Sequence, residues 1–156
     1  MTTLVDTTSL RKILLGSHVS KATAALPQTT DGALFTVTGR VLVTSLIGEV
    51  TTVIQTQANN TKLKFNPDGT GADTDLCAVL DISADAVGSQ YSLTGTVANA
   101  MTVGLWTLGP NLVIQSPGIF LNDGSIELDC AASNTGSVKW DITYIPYSSD
   151  GAIASA

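Results

Sequence analysis

The chain has 156 residues, 44% of them apolar and only 13% charged, with a formal net charge of −6. That length suits one ordinary domain able to bury a core, and the high apolar share argues against a disordered chain. Residues 1–30 carry three basic groups against one acidic, whereas 31–156 carry four basic against twelve acidic, so the acidic body argues against binding to a phosphate backbone.

No run of 18 apolar residues is present, so no membrane span is expected. The start also lacks the apolar core of a signal peptide, and synthesis in a reducing cytosol is expected. Residues 1–18 read as an N-terminal arm and 19–156 as one β domain. Within the arm, Ser9 is expected to cap a short helix from Arg11 to Leu15 that Gly16 ends. Such a helix is too short to be stable alone and has to lie on the body, a neighbouring subunit or another protein. Val19, Lys21, Thr23 and Ala25 then alternate loosely up to Pro27, which predicts a first strand at a sheet edge.

Residues 33–66 are the densest β stretch. Phe35, Val37, Val41 and Val43 fall on one face of an extended chain, and Thr36, Thr38, Arg40 and Thr44 on the other. Gly48-Glu49 reads as a turn or as a bend in one long strand. After Gln57, the link Ala58-Asn59-Asn60 and the renewed alternation of Leu63 and Phe65 with Lys62 and Lys64 predict a β-hairpin. The text NPDGTGADTD from Asn66 to Asp75 is a loop by composition.

Leu76 to Ile82 reads as a short apolar strand, and Ala84 to Gln90 as a loop turning at Gly88. Tyr91, Leu93 and Val97 mark another strand. Met101 to Leu108 continues the sheet, Gly109-Pro110-Asn111 breaks it, Leu112 to Gln115 is strand-like, and Ser116-Pro117-Gly118 turns the chain. Gly118 to Leu121 leads into Asn122-Asp123-Gly124, a hairpin signal. Ile126, Leu128 and Cys130 then oppose Glu127 and Asp129. After a turn at Ser133 to Gly136, Val138, Trp140, Ile142 and Tyr144 alternate with Lys139, Asp141 and Thr143, and Pro146 ends the strand. Eight to ten short strands with regular turns, in a chain holding 22 threonines, predict an all-β fold. It is a single antiparallel β-sandwich or barrel, jelly-roll-like, with a short N-terminal arm.

The chemistry-bearing residues are few. His18 is the lone histidine and the only possible base for a Ser–His–Asp site, but it lies beside the arm with no nucleophile-elbow sequence in the chain. Asn66, Asp68, Asp73 and Asp75 invite a calcium reading, yet the spacing is not that of an EF-hand and the terminal Glu is missing. Glu127 and Asp129 sit two apart on one strand face, whereas glycosidase carboxylates come from different strands across a cleft. Trp140 and Tyr144 share a face with Val138 and Ile142, so core packing is expected ahead of a sugar platform; Trp106 stays unassigned. Cys77 and Cys130 read as buried thiols, with a disulfide open only if their strands adjoin. No catalytic residue, no cofactor and no metal site is expected, and a binding or structural role follows.

The blocks LFTVTGRVLVTSLIGEVTTVIQTQ (34–57), DLCAVLDI (75–82) and GSIELDCAASNTGSVKWDITYIPY (124–147) resemble a family of capsid decoration, or cementing, proteins of tailed bacteriophages. The resemblance covers about two thirds of the chain. It implies a structural virion protein on the capsid exterior, a homotrimer that joins neighbouring capsomers by binding the major capsid protein, with an arm reaching onto the shell. It implies no cofactor and no catalytic residue, hence no enzyme. The candidate capsid contacts are the arm residues Leu10, Arg11, Lys12, Ile13 and Leu14, with His18. Two alternatives stand beside this. One is a tail- or fibre-associated protein binding a host surface glycan or receptor through exposed aromatics; the other is a carbohydrate-active domain with two facing carboxylates.

Overall fold

The computed structural model describes residues 6–105 and 115–156. The described residues contain one helix, α1 (Thr7–Leu15), and twelve strands. These are β1 (Ser17–Ala25), β2 (Asp31–Thr38), β3 (Val41–Thr52), β4 (Asn60–Pro67), β5 (Thr74–Asp75), β6 (Leu80–Asp81), β7 (Ser89–Ser92), β8 (Thr102–Leu105), β9 (Ile119–Leu121), β10 (Gly124–Cys130), β11 (Ser137–Pro146) and β12 (Ala152–Ser155). They form two six-stranded antiparallel sheets. The first runs β1-β11-β3-β7-β8, with β9 also on β3; the second runs β12-β2-β10-β4-β5, with β6 also on β4. The fold is therefore an open β-sandwich, and the barrel alternative falls away because neither sheet closes on itself.

Alternation decides what lies between the sheets. Phe35, Val37, Leu63, Ile126 and Leu128 come from the second sheet; Val41, Val43, Leu46, Val50, Trp140 and Ile142 come from the first; all are buried. Each large side chain removed from water contributes about 1.5–3 kcal/mol before entropy is counted. A register shift breaks the period within β3. Thr44 is an extra residue opposite the Thr143–Tyr144 step, so the inward set moves from Val41 and Val43 to Leu46 and Val50. Gly48 is neither a turn nor a bend but the middle of β3. It pairs with both Trp140 and Tyr91, and a Cβ there would stand 2.8 Å from the Trp140 ring. The missing side chain lets Trp140 lie over the strand and stack with Tyr91 at 6.4 Å between centroids.

Two expected hairpins are replaced by crossovers. β3 and β4 do not form the hairpin expected across Ala58-Asn59-Asn60, because they belong to opposite sheets. Asn122-Asp123 likewise carries the chain from β9 in the first sheet to β10 in the second. Leu76 to Ile82 is not a strand but two-residue pairings flanking a buried stretch. Leu76, Cys77 and Ile82 fill the core there, and Val79 is exposed. β7 ends at Ser92, and Val97, expected on that strand, is exposed in a turn. The first strand is indeed an edge strand, paired only with β11 within its sheet. Trp106, the continuation to Leu108, the break at Gly109-Pro110-Asn111 and the start of the strand at Leu112 lie outside the described residues.

Candidate functional site

The arm is a built helix. Asp6, not Ser9, is its N-cap: the Asp6 carboxylate accepts the Ser9 N–H at 3.0 Å and the Ser9 hydroxyl at 2.6 Å. Those hydrogen bonds hold the Asp6 carboxyl below its ordinary value. At the other end the Gly16 N–H donates to the Lys12 carbonyl at 2.9 Å, with φ at 86°. Glycine is required twice over at that point, since a Cβ would also stand 2.6 Å from the Tyr144 carbonyl oxygen. β1 begins directly afterwards at Ser17, so His18 belongs to the sheet and the arm ends earlier than the boundary expected at 18.

No residue of α1 is buried. Ile13 is 72% and Leu14 71% exposed, with Leu10 and Leu15 also largely in solvent. Arg11 and Lys12 are exposed between them. Together with Thr8, Leu15, Gly16, His18 and Thr143 they line an open groove where the helix meets the sheet. The six candidate capsid-contact residues are thus brought to one end of β1, five of them on the helix and His18 three residues beyond it.

His18 Nε2 lies 3.1 Å from Asp141 Oδ1 on the neighbouring strand. The Ser20 hydroxyl donates to that same oxygen, and Lys139 Nζ stands 3.3 Å from Oδ2. Burial pushes the Asp141 carboxyl up, but the hydrogen bonds from Ser20 and Lys139 outweigh it and hold the group below its ordinary value. Serine, histidine and aspartate therefore meet, in the wrong order for nucleophilic catalysis. Activation needs the imidazole between hydroxyl and carboxylate, and here the carboxylate stands between the other two.

The acidic loop resolves into ion pairs on the outer face of the second sheet. Lys64 Nζ lies 2.8 Å from Asp31, 3.1 Å from Asp73 and 3.9 Å from Asp129. The hydrogen bond to Asp31 leads in raising the Lys64 pKa above its ordinary value. Lys62 pairs with Asp75 at 2.8 Å. The carboxylates of Asp31, Asp73 and Glu127 lie near one another, but the Lys64 ammonium already supplies the positive charge such a group attracts. Glu127 accepts from Ser125 and Asn66 and shares its open strand face with Asp129, so the two do not face each other across a cleft.

Both cysteines are free and buried. Cys77 accepts the Leu63 N–H at 3.3 Å, and Cys130 accepts the Thr61 hydroxyl at 3.7 Å. Burial pushes both thiols up, the inert form of cysteine. Trp140 and Tyr144 are core residues.

Among the described residues the exposed aromatics are a different pair. Phe120 and Tyr147 meet edge to face at 5.0 Å and are 56% and 65% exposed. Arg40 and Asn122 stand beside them. Sequence reasoning passed over all four, although one signal was present: between inward Leu121 and half-buried Ile119, alternation points Phe120 outward. Comparison with protein-family models, curated proteins and solved structures finds no match to this chain.

Proposed function

We propose that this chain is a structural protein of a tailed-phage virion that binds the outside of the head as a trimer. In this role it joins neighbouring capsomers through its arm. One observation carries the reading. A nine-residue helix, capped at both ends, holds four large apolar side chains in solvent and buries none of its residues. An isolated helix of that length is marginal in water, so its order calls for a surface that covers its leucines. The three blocks that resemble the decoration proteins support a phage capsid as that surface. Arg11 and Lys12 add positive charge to an arm on an otherwise acidic chain, which suits an acidic patch on the shell. Binding that favours the expanded shell would stabilise it by mass action.

The test is co-sedimentation with purified heads lacking this protein. Replacing Arg11 and Lys12 by Glu is expected to weaken attachment about tenfold or more, and Ile13→Ser with Leu14→Ser more strongly. Unchanged co-sedimentation in both double variants would overturn the arm as anchor.

A further inference from the structure

Three of the links that cross between sheets meet at one end of the sandwich: Gly39-Arg40, Asn122-Asp123 and residues 147–151. They are bonded into one unit. The Gly39 N–H donates to Asp123 Oδ1 at 2.7 Å, the Arg40 N–H to the Ser148 hydroxyl at 2.8 Å, and the Tyr147 N–H to the Arg40 carbonyl at 2.8 Å. Arg40 Nε donates to Asn122 Oδ1 at 3.2 Å. Gly39, with φ at 62°, has no room for a side chain, since a Cβ would stand 2.6 Å from Asp150 Oδ1. The result is an open cleft of about 460 Å³ bordered by Arg40, Asn122, Asp123, Tyr147 and Asp150, with Phe120 against Tyr147 at its side.

We propose that this cleft binds a neutral saccharide, with one hexose unit stacked on the Phe120–Tyr147 pair and its hydroxyls bonded to Arg40, Asn122, Asp123 and Asp150. A pyranose ring has an apolar C–H face and a rim of hydroxyls that both donate and accept. The cleft matches both. An edge-to-face pair leaves aromatic surface open to a second ring. Arg40 commits Nε to Asn122, and among the described residues no carboxylate lies within ion-pair distance of its guanidinium. The Asn122 oxygen is taken, which leaves its two amide hydrogens as donors. Two carboxylates accept, and Asp150 stays ionised because the Ser148 hydroxyl bonds it and holds its pKa down. One guanidinium against two carboxylates gives no net positive charge, which disfavours sulfated, phosphorylated and sialylated sugars. Because the links are fixed by their own hydrogen bonds, little ordering is needed on binding. The proposal uses none of the arm residues and stands apart from the capsid reading.

The experiment is an amide-resolved NMR titration of the full chain with maltohexaose, cellohexaose and tri-N-acetylchitotriose, with a sulfated oligosaccharide as the anionic probe. At least one neutral probe should bind in the millimolar range or tighter and shift amides around Gly39, Asn122 and Tyr147. Tyr147→Ala and Phe120→Ala should each weaken that binding about tenfold with an unchanged unfolding midpoint. If either variant unfolds early, Asn122→Ala and Arg40→Gln read the same site from its polar side. Absence of shifts with every neutral probe, preference for the sulfated probe, or equal binding by all variants would overturn the proposal. Loss of head attachment by Tyr147→Ala without saccharide binding would do so too, and would give the patch to protein docking.

Discussion

The centre of the first sheet and the helix at its edge obey opposite rules. Around Gly48, three strands bring Trp140 and Tyr91 together over a residue with no side chain, and both rings are buried. In α1 both ends are capped, by Asp6 and by Gly16, yet among the described residues nothing buries its leucines. Local order and burial are therefore separable. The strands are held by what they cover, whereas the helix is shaped in advance for something else to cover it.

Phe35→Ala removes a ring with no exposure and should cost about 3–5 kcal/mol in denaturant unfolding, enough to unfold a marginal domain. Gly48→Val should cost about 1–3 kcal/mol by forcing Trp140 off the strand, visible as a change in tryptophan emission.

Asp141, at the junction of the two regions, should show a smaller, pH-dependent effect. Its folded pKa is depressed, so its contribution is present above the ordinary carboxyl value near 3.8 and is lost as pH falls through the folded one. Because the group is partly exposed, that contribution is below about 1 kcal/mol, and Asp141→Asn should flatten the stability curve over that acid range. Asp85 works with the opposite sign. Burial raises its pKa, so its charged form weakens the fold at neutral pH, and the penalty lifts on acidification. The smallest effect on stability belongs to the arm. Ile13→Ser with Leu14→Ser should move the unfolding midpoint by no more than about 0.5 kcal/mol equivalent, because neither side chain is buried. A large loss would mean that α1 packs on its own body.

Much of the sandwich was legible in the chain. The alternations at 35–43, 63–65, 126–130 and 138–144 all name buried residues correctly, because facing is set by period two within each strand. The error at Ala58-Asn59-Asn60 was legible too. Direct pairing across a three-residue link puts Ile54 opposite Lys64, yet Ile54 is buried beside Val50 while the Lys64 ammonium is turned to the carboxylates outside. At Asn122-Asp123 no such signal exists. Leu121 and Ile126 face inward whether the link is a hairpin or a crossover.

The candidate site was only half visible. The arm stood out because its pattern fits neither sheet. The cleft of Arg40, Asn122 and Tyr147 did not, because those residues are separated by some eighty and a hundred positions and meet only where crossovers converge.

The order of residues alone determined that this is a β protein, which side chains each strand turns inward, and that a short helix precedes the first strand. These follow from alternation, capping and chain length, all of them short-range. Three-dimensional packing set which sheet each strand joins, left α1 without cover among the described residues, and gathered three distant links into one cleft. Those outcomes depend on pairing between strands far apart in sequence, and a short link serves a hairpin or a crossover until the two sheets close on a common core.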